Sequence, residues 1–170
     1  MSASLPPVPG PRKVPARLKL DVLDERIVEL LQCIGVPYAF GAGAPKDGAG
    51  AWPPDPLPVG HGGGRGLDCS GLAGAALVHL GILPATAPDR TAAGYFDLAT
   101  PVPIEDARLG DLAFYGPPGR VSHVTLCLGG GLVMGANGGG SKTYGDAPSA
   151  FVKLDRIAYR TDFKGVRRIV

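Results

Sequence analysis

The periodicity of this chain changes at Pro101 and Pro103, and that change limits the possible folds more than any other feature. Upstream, apolar residues recur at helical spacing. Downstream they fall into short extended runs divided by Gly116-Pro117-Pro118-Gly119 and Gly129-Gly130-Gly131. Helices first and a mainly antiparallel sheet afterwards make an α+β arrangement. Val22, Leu23, Ile27, Leu30, Leu31 and Ile34 share one face, with charged residues opposite and Gly35 as a stop, so an amphipathic helix of about four turns is expected from Asp21. A second helix is expected from Cys69 to His79, capped by Asp68 and ended by Gly81, with small residues that permit close packing. Arg90 to Leu98 reads as a short third helix. The expected strands are Asp111 to Tyr115, Val121 to Leu128, Leu132 to Ala136, Phe151 to Leu154 and Gly165 to Val170.

With 170 residues, 45% of them apolar and 19% charged, the chain has material for one core and too little for two. Residues 1–19 interleave prolines with Arg12, Lys13, Arg17 and Lys19, and read as a Pro-rich basic arm outside a single domain at 20–170. The arm lacks the apolar stretch of a secretory signal, so none is expected. No run of about 18 apolar residues is present, so no membrane partner is expected. A formal charge of +2 is too small to indicate nucleic-acid binding. Cys33, Cys69 and Cys127 are odd in number and show no metal-ligand spacing, so the reading calls for no disulfide framework, metal or cofactor. Cys33 and Cys127 read as buried packing residues.

Cys69 is different, because it opens a helix. Unpaired backbone N–H groups and the positive end of the helix dipole favour a thiolate there, and the thiolate is the nucleophilic form of cysteine. In the later strand Val124, Leu126 and Leu128 share one face, while His123, Thr125 and Cys127 share the other. His123 is therefore expected to face a site or a wet surface. Between the two lies a long loop, 42–67, rich in glycine and proline, where Trp52 and His61 are candidate lid residues. Its Gly60 to Gly66 run lacks the Gly-Lys-Ser/Thr ending of a phosphate loop and reads as flexible.

Four segments in this order, Tyr38-Ala39-Phe40-Gly41, Leu67-Asp68-Cys69-Ser70-Gly71-Leu72, Leu109-Gly110-Asp111-Leu112-Ala113-Phe114-Tyr115 and Ser122-His123-Val124, resemble the NlpC-type family of bacterial cell-wall cysteine peptidases. The resemblance implies a papain-like fold, with N-terminal helices carrying the nucleophile packed on a small antiparallel sheet. It implies Cys69 as nucleophile and His123 as base, with Tyr38 beside them and Asp68 and Ser70 flanking the thiol on the substrate and oxyanion side, where Trp52 from the loop is a further candidate. The family's usual polar third residue falls on Gly135 in this chain, and glycine cannot orient an imidazole. Asn137, two residues on and about 6.6 Å along a strand, is the substitute for that catalytic place, with a turn asparagine as the alternative.

The implied substrate is the peptidoglycan stem peptide, typically at the bond between D-glutamate and a diamino acid, with an amidase on the same fold as an alternative. Without a secretory signal, association with a virion or phage tail through residues 1–19 is expected, the protein being cytoplasmic before release and acting in the cell wall. A catalytically inactive structural or binding module of a tail is the competing expectation.

Overall fold

The computed structural model describes residues 24–43 and 52–170, so the expected arm at 1–19 lies outside the described residues. Helices α1 (Glu25–Leu31), α2 (Cys69–His79) and α3 (Ala92–Leu98) precede strands β1 (Thr100–Val102), β2 (Leu112–Tyr115), β3 (His123–Gly129), β4 (Leu132–Asn137), β5 (Phe151–Arg156) and β6 (Phe163–Arg168). The strands form one sheet in the order β1-β6-β2-β3-β4-β5, antiparallel at every pairing. This is the α+β arrangement expected from the change of period.

Helix α1 is shorter than its pattern. The apolar spacing continues to Ile34, yet the helix ends at Leu31. The cause is tertiary: the Gly35 N–H donates to the Val152 carbonyl at 2.8 Å, and the Val152 N–H donates to the Val36 carbonyl at 2.8 Å. The chain thus leaves its helix to lie along β5. Strand β1 is not foreseen by the sequence pattern, because Pro101 sits inside it. It is an edge strand paired only to β6, and an edge is where a residue without an N–H is tolerated.

Helix α2 covers one face of the sheet, with Leu72, Ala73, Ala76 and Leu77 packed among Val124, Leu126, Met134 and Ala136. A Cβ on Gly71 would lie 2.2 Å from the Ala42 carbonyl oxygen, so the glycine lets the preceding segment lie directly on the first turn of α2. Of the two expectations for the opposite face, a site or a wet surface, the wet one does not hold. Ala113, Tyr115, Cys127, Val133, Ile157 and Val166 form a second apolar cluster there. Ile157 and Tyr159, in the link from β5 to β6, pack on that face. Cys33 and Cys127 are buried, as their reading as packing residues requires, and burial pushes both thiols up to about 12.

The glycine run of the long loop is built rather than flexible. Val59 bridges Arg65, the Gly60 N–H donates to the Gly64 carbonyl at 2.8 Å, and the His61 N–H donates to the Phe40 carbonyl at 2.9 Å. A Cβ on Gly62 would strike the Tyr144 ring, and one on Gly64 would strike the Tyr144 carbonyl. These glycines are packing requirements, a role that composition alone does not distinguish from mobility.

Candidate active site

Cys69 is the first residue of α2 and His123 the first of β3, so each functional side chain stands at the start of an element packed against the other. Asp68 fixes the start of α2. Its Oδ1 accepts from the Gly71 N–H at 2.7 Å and from the Ser70 hydroxyl at 2.9 Å. Asp68 and Ser70 are thereby joined to each other and to the helix terminus, next to the thiol. The N–H groups of Cys69 and Ser70, in the first turn, have no intrahelical acceptor.

Those N–H groups and that of Val124 pull the Cys69 thiol pKa down, as the helix-terminus argument expects. They are outweighed. Burial first, and the Asp68 charge second, push the thiol up to about 11, so the resting sulfur is protonated and the expected free thiolate is not its ground state. His123 is 8% exposed, and burial first, then the Arg160 guanidinium, bring its imidazole down to about 4. Both shifts favour the uncharged forms, thiol and imidazole.

Strands β3 and β4 pair Leu126 with Met134 and Cys127 with Val133. The same count sets Thr125 across from Gly135 and His123 across from Asn137. Asn137 is buried, and its Oδ1 lies 2.8 Å from His123 Nε2. Asn137 Nδ2 donates to Asp155 Oδ2 at 2.8 Å, and the Tyr159 hydroxyl donates to Asn137 Oδ1 at 3.2 Å. Only the NH₂ end of a carboxamide can donate to a carboxylate, so Asp155 fixes which way the amide faces. Asn137 Oδ1 is then an acceptor, Nε2 of His123 carries the proton, and Nδ1 is left with a free lone pair.

Gly135 is part of this arrangement. A Cβ there would lie 2.7 Å from Asn137 Oδ1 and 2.6 Å from Thr125 Cγ2. The position that lacks a polar side chain is the space the Asn137 carboxamide occupies.

Tyr38 is buried, a Cβ on Gly139 would press into its ring, and its hydroxyl has no hydrogen-bond partner among the described residues. Tyr38 bridges Leu67, two residues before Cys69, and burial, then the charges of Cys69 and Asp68, raise its phenol above the usual range. His61 packs edge-on against Phe40 with ring centroids 5.4 Å apart, on the segment that carries Tyr38. Trp52 is elsewhere. It stacks on His79 at 5.0 Å, at the last residue of α2, about 15 Å from Cys69 at the usual helical rise. The structure therefore does not bring Trp52 to Cys69: its indole packs against the core at the far end of the helix.

Asp155 and Tyr159 carry no signal in the sequence that would single them out. Asp155 alternates with apolar residues on an ordinary strand, and its hydrogen bond with Asn137 depends on twist and on the bare backbone of Gly135, which leave no local trace.

Comparison with known proteins gives a consistent result. The sequence profile of the NlpC/P60 family matches residues 35–154. Peptidoglycan endopeptidase RipB of Mycobacterium tuberculosis is 39% identical over 114 residues, which is 64% of this chain and 41% of that protein. Peptidoglycan endopeptidase RipA of the same organism is 37% identical over 104 residues, 61% of this chain and 20% of that protein. The chain thus spans less than half the length of these relatives. Among solved structures, the peptidoglycan hydrolase RipB superposes with a TM-score of 0.61 at 29% identity, covering 87% of this chain and 64% of that one. The P60 domain of an antigen of M. avium subspecies paratuberculosis superposes with a TM-score of 0.60 at 28% identity, covering 87% and 94%. RipD of M. tuberculosis, described as a non-catalytic NlpC/p60 domain adapted to peptidoglycan binding, shares the fold at 24% identity, a TM-score of 0.61, and coverage of 87% and 97%.

Proposed function

The chain belongs to the NlpC/P60 family, whose fold is papain-like, and on that premise we propose that it is a cysteine-dependent peptidoglycan hydrolase cleaving a stem-peptide amide between D-glutamate and a diamino acid. The observation that carries the reading is the chain of hydrogen bonds from Asp155 through Asn137 to His123 Nε2, which leaves Nδ1 free to act as base at the start of β3.

In the proposed reaction, His123 Nδ1 takes the Cys69 proton as the sulfur attacks the amide carbonyl carbon. The carbonyl π electrons move to oxygen, and the Cys69 N–H, in the first turn of α2, donates to that oxyanion. The oxyanion collapses, the C–N bond breaks, and the imidazolium gives its proton to the leaving amine. A water, deprotonated at the same Nδ1, then attacks the thioester, releasing the acid and the thiol. Neutral resting groups suit this sequence, since the proton moves only as the new bond forms. The Tyr38 hydroxyl, unpartnered among the described residues, is the second polar group directed at the substrate.

The relatives named as peptidoglycan endopeptidases support the substrate class. A non-catalytic binding module is the second reading, favoured by Gly135 at the place of the usual polar residue; the hydrogen bond that His123 Nε2 donates to Asn137 Oδ1 weighs against it. Digestion of diaminopimelate-type peptidoglycan by the wild-type protein and by Cys69→Ala, with fragments identified by mass spectrometry, separates the two. Stem-peptide fragments that disappear in the variant support the endopeptidase. Release of intact stem peptides identifies an amidase, and no release by either protein, with both folded, favours the binding module.

A further inference from the structure

A cavity at the turn that leads into His123 carries charge that the fold itself does not use. It has a volume of about 390 Å³ and lies between α3, the turn entering β3, and β6. Phe96 and Val121 give it apolar walls, and Arg120, Lys164 and Asp97 bring charged groups to its lining. None of these three charged side chains has a hydrogen bond or ion pair with another described residue. Arg167 is spent differently: its guanidinium lies 3.5 Å over the Phe96 ring and donates to the Phe96 and Ala99 carbonyls. It holds the wall and leaves recognition to the others.

The cavity is close to the chemistry. Arg120 and Val121 immediately precede Ser122 and His123, and three extended residues reach only about 10 Å. From the other side, α3 shares its core with α2, Ala92 and Tyr95 packing with Leu72 and Ala73. The opening thus lies within about three residues' reach of His123, near enough for a substrate residue beside the scissile bond to extend toward it. The volume is at the small end of ligand pockets, roughly 300–1,000 Å³, and suits the end of one residue rather than a whole stem. Two cations and one carboxylate complement a group that itself bears a carboxylate and an ammonium.

Resting on the peptidoglycan reading above, we propose that this cavity is a subsite for the free amino-acid end of the stem peptide's diamino acid, its carboxylate taken by Arg120 and Lys164 and its ammonium by Asp97. The subsite selects stems whose diamino acid has a free side-chain terminus over stems in which that amine is acylated by a cross-link. Phe96 and Val121 cover the methylene stem between the two ends of the residue.

The test is an NMR titration of the isotopically labelled Cys69→Ala protein, which needs no turnover, with γ-D-glutamyl-meso-diaminopimelate. Its amides carboxamidated on the side-chain carboxylate or on the glutamyl carboxylate, and its side-chain N-acetyl form, are the comparison probes. The parent peptide is expected to shift the amides of Gly119, Arg120, Val121 and Lys164. Side-chain carboxamidation is expected to weaken binding about tenfold or more, as removal of a charge-assisted hydrogen bond does. Arg120→Glu with Lys164→Glu should remove that difference, and Asp97→Asn should remove the difference made by N-acetylation. Equal affinities across the probes, shifts that bypass the cavity, or no binding would overturn the proposal. Sensitivity to the glutamyl carboxamide alone would overturn its assignment to the diamino acid. Digestion by the wild-type protein without any probe preference would strike the subsite alone, whereas preference without digestion would strike only the hydrolase.

Discussion

Asn137 Oδ1 lies 2.8 Å from His123 Nε2, across a strand pair in which the residue two before Asn137, on the same side of β4, is a glycine. The imidazole is held from β4 by a carboxamide that is itself held from β5 by Asp155. His123 thus has a defined tautomer without a polar residue at position 135.

If Asn137 positions His123, its removal should act on turnover more than on binding. We expect Asn137→Ala to lower kcat about ten- to a hundredfold with little change in KM, the effect of deleting one buried hydrogen bond, roughly 1.5–3 kcal/mol. Asn137→Gln, longer by a methylene, should not rescue it, whereas a merely structural role would lower stability and leave kcat per folded molecule unchanged. Steady-state kinetics with a thermal melt on the same samples checks both.

Gly135→Ala should disturb the same network from the other side. Its methyl would lie 2.7 Å from Asn137 Oδ1 and 2.6 Å from the Thr125 methyl. Overpacking of this kind costs about 1–3 kcal/mol. We expect a melting temperature lower by several degrees and a changed His123 ring signal in NMR. An unaltered ring signal would show that the carboxamide does not need this space. Gly140→Ala, where nothing lies within 4 Å of the added atom, is the matched control.

Burial and Arg160 lower the His123 pKa from 6.5 to about 4. Between those values the unfolded chain binds a proton that the folded chain does not, so stability rises with pH through this window and falls on acidification. The effect is up to about 3 kcal/mol. The melting temperature of the wild type should therefore drop between pH 7 and pH 4 by more than that of His123→Gln. Equal drops would mean that His123 is not held neutral.

With Cys69 pushed up to about 11, its alkylation by iodoacetamide should be slow at pH 7 and climb with pH toward that value. A rate already at its plateau near neutrality would show a preformed thiolate and contradict the neutral resting pair.

Trp52 stacks on His79 and packs against the core at the end of α2 remote from Cys69. Trp52→Ala should destabilise the protein by about 1–3 kcal/mol, less than a fully buried tryptophan, and leave kcat/KM per folded molecule unchanged. A selective rise in KM would restore its candidate place in the substrate site.

The sequence by itself determined the α+β arrangement and the positions of Cys69 and His123. Helix caps, period and strand alternation are local properties, and Asp68 before a run of small residues signals its helix start without help from the rest of the chain. It also put Asn137 on the same side of β4 as position 135 by simple alternation. What local pattern carried wrongly or not at all was decided by interactions between segments distant in the chain. Pairing with β5 ended α1 before its apolar pattern ran out. Close backbone approach at Tyr144 turned the glycine run into a packed turn. The protonation of the site belongs here too, because a helix terminus favours a thiolate locally while desolvation depends on everything packed around the sulfur. Asp155 and Tyr159 reach Asn137 only through register and twist between strands, and only the assembled sheet brings them within hydrogen-bonding distance.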